Sequence, residues 1–433
     1  RIFKFKMKKK IYKYFVNLSL MLINLSVKIN SHKLCAFVIW LNMRKLKSVK
    51  SSSGNKKKIL VFAKSGGTED LIEAFNNKKT NFIFFLLARS FLKKIYSNLN
   101  FGEKYQKDYF TKLTKIEDIK KKNLYLNFLT LVFESLNNLV KLDGYISFNI
   151  FYFPEKYFEE ACINLKSKYI ILHKESAFSA SEQLKAISIY RKFNTKSLSH
   201  KISVYTENQK KILIKSKIAH KNQIVVNGTP RSDYAFRLRK IAPKEKIIVF
   251  YLIEYNRPLT GLLRLKKINW KKLYNQTLDY LFEFAKKNPD IQIILKGKTG
   301  VHKKEQPNFN HLPKNCRFIE GGTGHLLLKN ASVVIAFHSS AIFEAIASNR
   351  NLVIPNFNNE EKIYKNILLK IENKKYFVNS KIQFNKKLKL YLDLKYKKRK
   401  LTKPDIKTLK FFLGNVDATA GDKMRKFLEK TIK

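Results

Sequence analysis

Residues 333–357 read VVIAFHSSAIFEAIASNRNLVIPNF. An apolar run stops at His338-Ser339-Ser340, a helix-like stretch follows, and a second apolar run ends at Pro355. Short apolar runs without polar alternation are strands buried on both faces. Alternating with helices, they build parallel sheets. In such sheets ligands bind outside the carboxyl ends of the strands, where helices begin. The histidine and the two hydroxyls stand at that place, with Glu344 one helical turn beyond Ser340. Ser339 or Ser340 can cap the helix, and the free N–H groups of its first turn suit an anion. A capped helix with a solvated glutamate explains the same residues, and taken alone the turn favours that explanation.

The neighbouring segments change the weighting. IQIILKG (291–297) ends in KGKTG (296–300), so Lys296 and Lys298 emerge at the same sheet edge and can neutralise a diphosphate. CRFIE (316–320) leads into GGTG (321–324), which permits close backbone approach to a ligand or makes a tight strand-to-helix connection. KIIVFYLI (246–253) and LVIP (352–355) are further strands, YFVN (376–379) another, and 269–288 and 382–393 are helical.

The first half has the same rhythm. ILVFA (59–63), NFIFFLLA (81–88), DGYISFNIFYF (143–153), KYIILH (168–173), ISVYT (202–206) and QIVVNG (223–228) read as strands, with a long helical zone near 103–141. SGGTED (65–70) follows the first strand. There Glu69 or Asp70 can deprotonate a hydroxyl. Helix capping by Thr68 with two acidic first-turn residues explains the same sequence slightly better. HKES (173–176) ends another strand and offers Glu175 as a base and Lys174 as a phosphate contact, and a plain buried strand end explains it as well. Two strand–helix series predict an α/β chain of two Rossmann-like parallel-sheet domains facing a central cleft. The expected boundaries are a basic extension over 1–55, a first domain over 56–240, a second over 241–405 and a terminal helix over 406–433.

Composition bounds the classes. The chain has 433 residues, 45% of them hydrophobic, which excludes a disordered protein. Lys and Arg number 88 against 32 Asp and Glu, a formal charge of +56. That surface favours anionic partners, although abundant Lys, Asn, Ile, Phe and Tyr together mark an AT-rich coding background. The charge is spread along the chain without a nucleic-acid-binding module. Cys35, Cys162 and Cys316 have no metal-ligand or disulfide spacing, which fits a reducing, cytoplasmic compartment. The amino-terminal stretch IYKYFVNLSLMLINLSV (11–27) is interrupted by Lys13, Asn17 and Asn24, too short and polar to span a bilayer. It reads first as a helical extension and second as an interfacial anchor on an anionic membrane.

The ordered pieces, strand-KxK, strand-Gly turn, then VVIAF-HSS-AIFEAIA-SNRN-LVIP, resemble the carboxyl-terminal domain of GT-B glycosyltransferases of bacterial capsule and lipopolysaccharide biosynthesis. CDP-glycerol glycerophosphotransferases and UDP-N-acetylglucosamine 2-epimerases are relatives of these enzymes. VVNGTPRSD (225–233) is similar to their Gly-x-Pro-Arg-x-Asp segment, and FLGNVDATAGDKMRKFL (412–428) to their Gly-Asn-x-Asp segment. The resemblance covers roughly residues 200–433. It implies a nucleotide-activated donor held by the second domain. Ser339, Ser340 and His338 would lie at its phosphates, with Lys296 and Lys298 beside them and Glu344 on the ribose. It further implies transfer of a sugar to a surface polysaccharide or lipid-linked acceptor, with no cofactor beyond the donor substrate. No Asp-x-Asp is present for a metal-bound diphosphate, so metal-independent chemistry is expected, with the enzyme at the inner membrane face. SNRN departs from the family's Gly or Lys-Pro turn, and Ser339-Ser340 from the epimerases' Gly-Gly pair. Glycerophosphate transfer and 2-epimerisation remain alternatives on the same fold. A non-enzymatic nucleic-acid-binding protein is the alternative from another class.

Overall fold

In a computed structural model the described residues are 2–76, 78–98, 115–174, 186–188, 190–191, 196–243, 245–253, 269–298, 312–322, 324–337, 339–357, 371, 373–393 and 401–432. The chain divides into two compact α/β units. Residues 1–176, 189–227 and 421–433 form one, and residues 177–188 and 228–420 the other.

The first unit carries a seven-stranded sheet in the order β1-β5-β3-β6-β7-β8-β9. Its strands are β1 (Arg44–Lys45), β3 (Lys57–Ala63), β5 (Phe82–Ala88), β6 (Gly144–Ser147), β7 (Lys168–Leu172), β8 (Lys201–Val204) and β9 (Ile224–Val226). All pairings are parallel except that of β1 with β5. A separate two-residue pair joins β2 (Lys50–Ser51) to β4 (Lys79–Thr80). The helices are α1 (Ile2–Lys28), α2 (His32–Asn42), α3 (Gly67–Ala74), α4 (Ser90–Asn98), α5 (Ile116–Val140), α6 (Phe153–Asn164) and α7 (Glu207–Lys215). The apolar run of β3 is a central strand, with β5 between it and the short edge strand β1, and buried aromatics from the helices fill the space above β3. Phe158 meets Phe62, Phe133 and Tyr145 at ring separations of 4.8, 4.4 and 5.0 Å.

Residues 1–55, expected as a basic extension, belong to this unit. Helix α2 packs along α5 and α1 against α4, and Ile23, Cys35, Ala36 and Ile39 are fully buried. Their apolar sides therefore complete the core. The strand expected over 143–153 stops at Ser147. Asn149 turns the chain there, its Oδ1 accepting from Phe151 N at 2.6 Å, and Pro154 opens α6.

The second unit has a six-stranded, wholly parallel sheet in the order β12-β11-β10-β13-β14-β15. These are β10 (Ile247–Tyr251), β11 (Gln292–Gly297), β12 (Cys316–Glu320), β13 (Ala331–Ala336), β14 (Asn351–Pro355) and β15 (Phe377–Val378). In chain order this is 3-2-1-4-5-6, the doubly wound arrangement, and the winding reverses between β10 and β13. Its helices are α8 (Ser232–Leu238), α9 (Trp270–Lys287), α10 (Ala341–Ala347), α11 (Lys381–Asp393) and α12 (Lys403–Phe412). The last helix, α13 (Ala420–Thr431), returns to the first unit. Its Met424, Phe427 and Leu428, with Ile432 just beyond it, join that unit's core.

The two family-like segments at the ends of the second unit are bound to each other. Asn415 Oδ1 accepts from Thr229 N at 3.1 Å, and its amide donates to Asp233 Oδ1 at 3.2 Å. Thr229 Oγ1 donates to Leu413 O at 3.0 Å. Gly228 has φ +79°, and a Cβ there would stand 3.0 Å from Asn415 Oδ1. Asp233 also accepts from Ala420 N at 3.3 Å. These residues close the unit where its chain enters and leaves.

Candidate functional site

The winding of the second sheet reverses beyond the ends of β10 and β13, and chemistry-bearing side chains gather at that edge. Register places Tyr251, the last residue of β10, beside Lys296 of β11 on one side and Ala336 of β13 on the other. Ser339 and Ser340 follow β13, and Glu344 lies on α10, which they open.

Tyr251 and Lys296 are both buried and both hold the glycine turn after β12. Tyr251 Oη donates to Gly324 O at 2.7 Å. Lys296 Nζ donates to Gly297 O at 2.8 Å and to Gly321 O. Burial pushes the Lys296 ammonium below the usual lysine range, and Glu320 works against that shift. Burial, then the charge of Glu344, pushes the Tyr251 hydroxyl well above the usual tyrosine range. Tyr251 therefore remains a protonated donor. Gly321 and Gly322 have φ +71° and +70°, the left-handed region that a side chain disfavours. A Cβ at Gly324 would lie 3.2 Å from the Tyr251 ring.

The serine turn is capped, though by the earlier serine. Ser339 Oγ accepts from Ala341 N at 3.3 Å. Ser340 is already helical, with φ −59° and ψ −20°, makes no side-chain cap bond, and is exposed. Lys298 is exposed one residue past β11. His338 lies outside the described residues. Sequence reasoning missed two groups at this edge. Tyr251 is one, signalled only as the hydroxyl-bearing residue ending an apolar run. The other is Asn356, fully buried after β14, whose Oδ1 has no hydrogen-bond partner among the described residues. A depression of about 420 Å³ near Pro289 and Pro313 lies at the opposite, amino-terminal end of the strands and is separate from this set.

The first unit also collects charge at the carboxyl ends of its strands. Ala63-Lys64-Ser65 ends β3 and Ala88-Arg89-Ser90 ends β5, and Ala63 pairs with Ala88 in register. The two cations thus leave neighbouring strands side by side. Both lie over the Tyr152 ring, Lys64 Nζ at 3.9 Å and Arg89 Cζ at 4.1 Å from its centre. Arg89 is ion-paired with buried Glu155, and Lys174 Nζ donates to Ser65 O. The repeated Ala-cation-Ser was the available signal for Lys64 and Arg89.

The base candidates are placed as follows. Glu69 Oε2 accepts from Gly66 N at 2.5 Å, closing the start of α3. Asp70 is 2% exposed and accepts from the Tyr205 hydroxyl. Glu175 lies outside the described residues. Among those described, no three His, Cys, Asp or Glu side chains group as metal ligands.

No protein-family model matches the sequence, and no curated protein matches it. Solved structures of similar fold include a UDP-GlcNAc 2-epimerase from Methanocaldococcus jannaschii, at 14% identity and TM-score 0.42, over 87% of this chain and 99% of that one. A UDP-N-acetylglucosamine 2-epimerase from Rickettsia bellii is 14% identical with TM-score 0.44, over 87% and 97%. A wall teichoic acid polymerase is 12% identical with TM-score 0.42, over 100% and 98%. At these values the reading of the site rests on this chain's own residues.

The start of α3 approaches its neighbour closely. A Cβ at Gly67 would stand 2.3 Å from the Phe148 ring, which follows β6. Gly67→Ala should therefore force Phe148 or the helix to move, at a cost of about 1–3 kcal/mol. A urea denaturation curve of the variant measures it. An unchanged midpoint would show that Phe148 swings away freely.

Proposed function

We propose that the chain is a glycosyltransferase of the GT-B type that moves a sugar from a nucleotide-activated donor to a surface polysaccharide or lipid-linked acceptor. The observation that carries this reading is the gathering of Lys296, Tyr251, Ser339, Ser340 and Glu344 at the point where the second sheet's winding reverses. That is where doubly wound sheets hold nucleotides. Lys296 and Lys298 would face the diphosphate, the serine hydroxyls would donate to phosphate oxygens, and Glu344 would accept from ribose hydroxyls.

In the transfer step the bond from the anomeric carbon to the diphosphate oxygen breaks. The electron pair leaves with the diphosphate, and an acceptor oxygen bonds to the anomeric carbon as its proton passes to a base. Cationic donors placed at the leaving oxygens stabilise the charge that develops there, and they do so without a metal ion. The cation set Lys64, Arg89 and Lys174 of the first unit suits an acceptor that carries phosphate.

A panel of UDP-, CDP- and CMP-linked donors, followed by calorimetry, tests the reading. One class should bind, and the Ser339→Ala, Ser340→Ala double variant should weaken it about 5–150-fold, the equivalent of about 1–3 kcal/mol from lost phosphate hydrogen bonds. Glu344→Gln should weaken a nucleoside diphosphate more than free diphosphate. No binding across the panel, or unchanged affinity in a folded double variant, overturns it. Epimerisation of a UDP-sugar without acceptor would replace transfer with the isomerase alternative.

A further inference from the structure

Two helices of the first unit carry apolar side chains on the side turned away from the protein. In α1, Tyr14, Leu18, Met21 and Leu25 are 64%, 55%, 67% and 47% exposed. Their spacings of four, three and four residues place them in one stripe. Ser19, Ile23, Ser26 and Val27 form the buried side, opposite that stripe. In α2, Phe37, Trp40 and Leu41 are 46%, 43% and 47% exposed, while Cys35, Ala36, Val38, Ile39 and Asn42 are buried. Phe37 and Trp40 touch at 5.7 Å between ring centres.

Both stripes are bordered by cations. Lys33 lies on the outer face of α2, Arg44 follows that helix as the first residue of β1, and both are exposed. Arg44 reaches back over the Tyr12 ring of α1 at 3.5 Å, which ties the far ends of the two helices together. No Asp or Glu precedes Glu69 anywhere in the chain. Neither helix is long and apolar enough to cross a membrane.

Exposed apolar stripes of this size are uncommon on a soluble surface and mark a contact. A protein partner with an acidic rim would answer the charge. An anionic bilayer answers both features at once, because the headgroup boundary accepts aromatic and aliphatic side chains beside lysines and arginines. We propose that the outer face of α1 and α2 is a docking surface for anionic lipid, with Leu18, Met21, Leu25, Phe37 and Trp40 entering the headgroup boundary and Lys33 and Arg44 meeting its phosphates. The surface is independent of the transfer reading, since a chain that transfers nothing can still bind lipid through it.

The test uses the full chain and vesicles of equal parts phosphatidylcholine and phosphatidylglycerol, against phosphatidylcholine alone. Binding by co-sedimentation should require the anionic lipid. The Leu18→Gln, Met21→Gln, Leu25→Gln triple variant should lower the partition coefficient at least about tenfold. Trp40 supplies a second readout that needs no disruptive substitution. Lipid brominated in its acyl chains should quench tryptophan emission, and Trp40→Phe should abolish that quenching, since the other tryptophan, Trp270, is buried in the second unit. Unquenched Trp40, or binding that the folded triple variant retains in full, overturns the proposal and leaves only diffuse charge attraction. A concentration-dependent dimer that the triple variant dissolves, without lipid binding, assigns the face to a second copy of the chain and overturns it as well.

Discussion

Lys296→Met should lower kcat/KM for the nucleotide-linked donor by about 10²–10³-fold, the loss expected when one preorganised donor to developing charge is removed. At about 1.36 kcal/mol per tenfold, that is about 2.7–4 kcal/mol of transition-state stabilisation. The fold should lose less, because methionine fills similar space and the cost of burying an ammonium disappears, which offsets the about 1–3 kcal/mol for each of the carbonyls of Gly297 and Gly321 left without a donor. A melting curve beside the kinetics separates the two effects. A large drop in melting temperature with unchanged kcat/KM would make Lys296 a strut for the glycine turn and remove it from the donor site.

The pH profile checks the same residue. Burial lowers the Lys296 pKa, so as pH rises its charge is lost at a lower pH than an exposed lysine's. Donor affinity should accordingly fall on the alkaline side before ordinary lysines titrate, and Lys296→Met should lack that limb. A bound diphosphate would favour the charged form and move the limb back up. Proton uptake on binding at alkaline pH is the calorimetric sign.

Arg350→Ala should destabilise the second unit by about 3 kcal/mol. Arg350 is 3% exposed, and its guanidinium donates to four carbonyls. These are Leu328 at 2.7 Å, Ile241 at 3.0 Å, Lys329 at 3.2 Å and Ser348 at 3.3 Å. Each buried carbonyl left without a donor costs about 1–3 kcal/mol, and water entering the space left by the side chain recovers part of the total. Chemical denaturation measures the change. Arg350→Lys should not restore it, because a single ammonium cannot span four acceptors. A loss below about 0.5 kcal/mol would mean that water replaces the guanidinium fully.

That arginine also accounts for the departure noted in SNRN. Asn349 adopts the left-handed conformation, with φ +58°, which a glycine would otherwise take after a helix. Arg350 then pins the turn through its carbonyls. Spacing showed where the helix stops but not how the stop is held, because the four acceptors come from segments up to 109 residues away. The central strands were legible for a simpler reason: a strand covered on both faces has to be apolar along its length. CRFIE was bounded to the residue, and the others, that over 143–153 apart, within a few residues at each end. The strand over 143–153 was overextended because Phe148, Ile150 and Phe151 are buried for packing after the ladder has ended. At the candidate site, Lys296, Ser339, Ser340 and Glu344 were visible as polar residues interrupting apolar runs. Tyr251 was hidden because tyrosine is itself a common strand residue, and only the register revealed it beside Lys296.

Strand β1 has a consequence for solubility. A sheet rich in Phe, Ile and Leu would template pairing with another molecule along an open edge. On the β5 side that edge is covered by a short strand, Arg44 and Lys45, laid antiparallel on Leu86 and Phe85 and exposed. A second molecule adding there would bring its own Arg44 and Lys45 against this pair, so like charge opposes fibre growth at the point where the backbone would permit it. The same logic sets a handling rule. Concentrated salt screens that repulsion, and aggregation of the chain should accelerate with ionic strength.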